Sequence, residues 1–77
     1  AASPLLILII AGQKATIIKI NKGEAARNRL MAMGITPGTS ITILARHPFR
    51  GPVTVDLGNN RMAIGQEIAR AIEVKPQ

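Results

Sequence analysis

The sequence predicts a mainly β domain: a small barrel of about five strands with one inserted α-helix and a short N-terminal helical segment. Three observations carry this reading. Short apolar-alternating runs such as Val53-Thr54-Val55-Asp56-Leu57 recur between clusters of turn residues. Only one stretch, Glu24 to Met33, is rich in good helix formers. That stretch runs into Gly34-Ile35-Thr36-Pro37-Gly38, a compact instruction for a helix-to-strand corner. Gly34 suits the left-handed residue that closes a helix. Pro37 presets a turn, and Gly38 supplies the positive φ that a type II turn needs next.

The elements follow in order. Ser3-Pro4 reads as a helix start, with Ser3 as cap and Pro4 in the first turn. Leu5, Leu6, Ile9 and Ile10 then share one helical face, although the β-branched isoleucines suit a strand equally, and periodicity leaves both open. Gly12 ends the segment. Lys14 to Ile20 reads as the first strand, and Asn21-Lys22-Gly23 is turn chemistry. In the helix, Ala26, Leu30 and Met33 share the face expected to dock on the sheet. Thr39–Leu44, Val53–Leu57 and Arg61–Gly65 are the next strands. His47 to Pro52 connects two of them, and Gly58-Asn59-Asn60 closes a hairpin. Gln66–Arg70 reads as a single helical turn before a last short strand, Ala71–Val74.

Length and composition narrow the function. With 77 residues the chain is read as one domain, 1–77, with a modest core. Its hydrophobic fraction is 47% with a single aromatic, Phe49, so the core must be aliphatic. There is no Cys, which excludes disulfides and thiolate metal sites and fits a reducing cytosol. The net charge of +6 invites an anionic partner, yet it also keeps an apolar small domain soluble. Nucleic acid is disfavoured, because one Phe without Tyr or Trp gives no stacking platform. The longest apolar run, Leu5 to Ala11, is far below the ~20 residues of a bilayer span. No membrane insertion of its own is therefore expected.

Catalysis finds no constellation. Glu24, Asp56, Glu67 and Glu73 show no paired spacing for acid/base work, and no Gly-rich phosphate loop opens a helix. His47 could join Asp56 or Glu67 at a metal, but one imidazole beside Pro48 is short of ligands. No catalytic, cofactor or metal residues are assigned. Among the cations, Arg27 and Arg29 lie two apart on the helix and point to different sides; one can pair with Glu24 and the other can meet a partner. Arg46, Arg50 and Arg61 gather around the expected hairpin region as a candidate patch. The unbroken run Leu5 to Ile10 cannot readily bury all six side chains in a small barrel. Its surplus is expected to face another chain, in a homo-oligomer or a larger partner.

Taken together, these segments resemble the FeoA family, the small cytosolic component of bacterial ferrous iron uptake. Gly12 with Ala15, Ile17 and Ile20 is similar to the family's opening strand. Arg29-Leu30, Met33-Gly34-Ile35 and Pro37-Gly38 resemble its R-L-x-x-[LM]-G-[LI]-x-P-G corner. Pro48, Gly51-Pro52-Val53 and Val55 resemble P-x-x-G-P-[IV]-x-V, and Ala63-Ile64, Ala69, Ile72 and Val74 resemble the closing pattern. Departures are Gly65, where the family often has Arg, Ile68, where it often has Glu, and the uninterrupted apolar run Leu5 to Ile10, where the family usually carries polar residues among its leucines. The resemblance implies an SH3-like barrel and a non-enzymatic role at the cytosolic part of the FeoB transporter. Contacts are then expected from Leu6, Ile7 and Ile10, from Arg27 and Arg29, and from Phe49 and Arg50. The same barrel also serves as a regulatory domain in metal-dependent repressors, which stands as the alternative beside a nucleic-acid-binding barrel.

Overall fold

The computed structural model describes residues 4–47 and 51–77. Ser3, Phe49 and Arg50 lie outside these, so the expected cap at Ser3 and the contacts assigned to Phe49 and Arg50 stay with the sequence reading.

Five strands form one antiparallel sheet: β1 (Lys14–Ile20), β2 (Ser40–Arg46), β3 (Val53–Asp56), β4 (Arg61–Ile64) and β5 (Ile72–Pro76), in the order β4-β3-β2-β1-β5. Helix α1 (Glu24–Ala32) joins β1 to β2, and the single turn α2 (Gln66–Ala69) joins β4 to β5. The fold is the SH3-like barrel with an inserted helix that the sequence implied.

Register explains the core. Ala15 pairs with Ile41, Ile43 with Val55, Val53 with Ile64, Ile17 with Val74 and Ile20 with Ile72. Directly opposed residues share a face, and every member of these pairs is buried. The inner face is thus aliphatic throughout, as a chain with one aromatic requires. Two bulges break the alternation, between Ile17 and Lys19 in β1 and between Ile43 and Ala45 in β2. An extra residue at a bulge reverses which side the next ones face. Ile18 and Leu44 keep the outer side that alternation gives them after Ile17 and Ile43 and are exposed, while the β1 bulge leaves Lys19 outside as well and returns Ile20 to the core.

The corner behaves as its wording dictates. Gly34 takes φ +99°, its N–H donates to the Met31 carbonyl, and the Ile35 N–H donates to the Leu30 carbonyl. This pair of bonds is a Schellman motif, and buried Leu30 and Ile35 supply its apolar contact. Gly38 follows at φ +93°, with the Thr39 N–H donating to the Thr36 carbonyl across the turn.

The expected short helical segment stands at the N-terminus. It is a short 3-10 turn, Leu6–Leu8, between extended residues on either side. Ahead of it the Pro4 carbonyl accepts the Val74 N–H, and Leu5 bridges Glu73. The segment thereby covers the outer side of β5. Side chains three apart eclipse in a 3-10 turn, so Leu6 and Ile9 point inward and are buried, while Leu8 and Ile10 are exposed. Leu6, expected to meet a partner, is fully buried and has no surface to offer one. Ile9 and Ile10, expected on one face, part company.

Candidate functional site

An open apolar surface lies between the two helices. A groove of about 460 Å³ is lined by Ala26, Arg29, Leu30, Ala32 and Met33 from α1 and by Ile68 from α2. Its origin is local. Positions 26, 29, 30 and 33 recur at the three- and four-residue spacing that stacks side chains on one helix face. Leu30 forms the buried floor. The short side chains of Ala26 and Ala32 leave space above it, and Ile68 closes the far wall.

Met33 does not dock on the sheet as expected. It is the residue that ends α1, with φ −90° and ψ 2°, and stands 49% exposed at the groove. Its face-mate Leu30 takes the inward role alone, since it is the one buried residue of α1. The helix therefore rests lightly on the barrel and keeps an apolar side open. Met31, beyond the groove lining, is exposed as well.

Arg27 and Arg29 diverge, as two-residue spacing requires. Both are exposed, but only Arg29 lines the groove, where it is the one ionisable residue. Ile68 was read only as a departure from a family pattern. It becomes a wall of the groove, something the sequence could have shown only through the position of α2 beside α1.

The remaining expected contacts are spread apart. Ile7 is half-buried against the core. Ile10 is 65% exposed and lines a second hollow with Ala11, Gly12, Gln13, Lys14 and Gln77. Arg46 and Arg61 do not cluster: Arg46 sits opposite Val53 and Arg61 opposite Asp56, the two ends of β3. A strand rises about 3.3 Å per residue, which separates them by ~10 Å along the sheet.

Two of the four acids have structural tasks. Asp56 accepts the Gly58 N–H at 2.8 Å within the β3–β4 turn, and Glu73 accepts the Asn21 amide at 2.7 Å. Among the described residues, no three of His, Asp and Glu come together in a way that could hold a metal ion. Nor is any described helix long and apolar enough to cross a membrane.

Residues 6–76 match the FeoA domain family, nearly the whole chain. The chain belongs to the FeoA family. Over 64 residues it is 31% identical to a Methanocaldococcus jannaschii protein that bears the name Fe(2+) transport protein A; the match spans 83% of this chain and 76% of that one. A crystal structure of an iron uptake regulatory protein, FeoA, superimposes with a TM-score of 0.88 at 35% identity, over 96% of this chain and 97% of the other. The solution structure of Chlorobium tepidum FeoA gives 0.84 at 25% identity, over 94% and 69%. A manganese-dependent transcriptional repressor shares the fold, with a TM-score of 0.86 over 97% of this chain but 42% of its own, at 24% identity. Both likenesses extend over nearly the whole of this chain, and at 24% identity the one to the repressor shows the fold alone.

Proposed function

We propose that this chain is a non-catalytic accessory protein of ferrous iron uptake. It acts on the cytosolic side by docking on the cytosolic part of a FeoB-type transporter and tuning the transporter's assembly or activity. Fe(II) is the cargo of that system, not a resident group of this chain. Membership of the FeoA family supports the iron-transport setting. The observation that carries the docking reading is the open apolar groove between α1 and α2, with Met33 exposed beside it.

A small domain gains little by leaving an apolar helix face in water. Burying it against another protein recovers about 25 cal/mol for each Å² of apolar surface. Leu8 and Ile10 offer a second apolar contact on the N-terminal segment.

The test is binding of the purified chain to the soluble cytosolic part of its cognate FeoB, with and without guanine nucleotide and Fe(II). Met33→Asp places a charge on the groove at an exposed position, where it should leave the fold intact. Binding by the native chain and its loss in Met33→Asp support the reading. Absence of binding by the native chain under every condition overturns it.

A further inference from the structure

Resting on the docking reading, we infer that the α1–α2 groove receives a helical segment of the transporter's cytosolic part, which places apolar anchors over Leu30 and a carboxylate against Arg29. Three features of the groove select this occupant.

The first is what the walls can offer. Both walls are helices, whose backbone groups are already engaged. The Arg27 N–H donates to Gly23, and the α1 carbonyls of Leu30 and Met31 are taken by the corner. A bound strand needs an open sheet edge to pair with, and none lines this groove. A segment that satisfies its own backbone and presents only side chains is the fitting form, and an amphipathic helix does so.

The second is size. A groove of about 460 Å³ has room for a few side chains. Stable association of two copies through it alone would need on the order of 800 Å² from each partner. Two copies of a chain with net charge +6 also repel one another. A second copy is therefore the poorer occupant.

The third is charge. Arg29 is the one ionisable residue among the lining residues, and the others are apolar. An arginine fork beside an apolar surface that excludes water favours a carboxylate, which it can hold through two parallel N–H···O bonds. The partner segment thus pairs apolar residues at helical spacing with Asp or Glu at its flank.

The test measures affinity for the cognate FeoB cytosolic part with native chain, Arg29→Lys, Arg29→Glu and Arg27→Glu. Arg29 and Arg27 are both exposed, so all of these variants should fold. Arg29→Glu should weaken binding by about tenfold or more, as reversal at a desolvated charge pair does. Arg29→Lys should keep part of the affinity without the bidentate geometry, and Arg27→Glu should change it far less. Replacing the partner's matching acid with Lys should restore binding to Arg29→Glu. Native binding that Arg29→Glu leaves unchanged, or that Arg27→Glu weakens equally, overturns the proposed occupant while the docking reading stands. No native binding at all overturns both.

Discussion

Leu6→Ala and Leu8→Ala form a pair that tests how the N-terminal segment is built. The two residues lie two apart in an unbroken apolar run, yet Leu6 is 0% exposed and Leu8 is 64% exposed. Truncating Leu6 removes three carbons from the core. At about 0.8 kcal/mol each the transfer loss is ~2.4 kcal/mol, and the residual cavity raises it to roughly 3–5 kcal/mol. A domain of 77 residues has a total stability of about 4–12 kcal/mol, so this is a large share of it. Leu8→Ala deletes atoms already in water and should stay within about 0.5 kcal/mol. Urea unfolding followed by circular dichroism reads both. With m near 1 kcal/mol/M, Leu6→Ala should lower the midpoint by about 3 M or leave the chain unfolded, while Leu8→Ala barely moves it. Equal losses for the two variants, or a larger loss for Leu8→Ala, would refute the 3-10 turn as the device that sorts this run into core and surface.

Other substitutions probe the corner, the hairpin and the bulges. Gly34→Ala forces an L-residue to φ +99°, with its new Cβ 3.4 Å from Leu57 Cδ1, and should cost about 1–2 kcal/mol in thermal or urea unfolding. Gly38→Ala, at φ +93° with nothing near the new Cβ, isolates the backbone cost and should lose no more than Gly34→Ala. Asp56→Ala removes the acceptor of the Gly58 N–H and should lower stability by about 1 kcal/mol, measured the same way. Leu44→Lys at the β2 bulge should fold with stability within about 0.5 kcal/mol of the native chain, because its side chain already faces solvent.

The corner was the most legible part of the chain, because its chemistry is local. Gly34, Pro37 and Gly38 each have a conformational reason to stand where they do, and both glycines take the positive φ their positions require. The strands were legible through alternation wherever two inward residues face each other across the sheet. Alternation failed at Lys19 and Ile20, since a bulge is fixed by pairing with a neighbouring strand and leaves no mark on its own segment. The run from Leu5 to Ile10 defeated both periodic templates. It is extended, then a 3-10 turn, then extended again, and inward residues fall three apart. The groove was only half legible. Arg29 and Met33 could be placed on a helix, but Ile68 joins them only because the fold brings α2 to the same groove. Leu30 anchors the helix alone, with Met33 at the surface.

The central claim is that the α1–α2 groove is where a transporter docks. An amide-resolved NMR titration of the labelled chain with the unlabelled cytosolic part of its cognate FeoB tests it most directly. The account predicts shifts concentrated at residues 26–33 and at Ile68, with the outer face of β1 and β2 left unperturbed. Binding that perturbs the sheet face or the far end of β3 and leaves the two helices unchanged would contradict it.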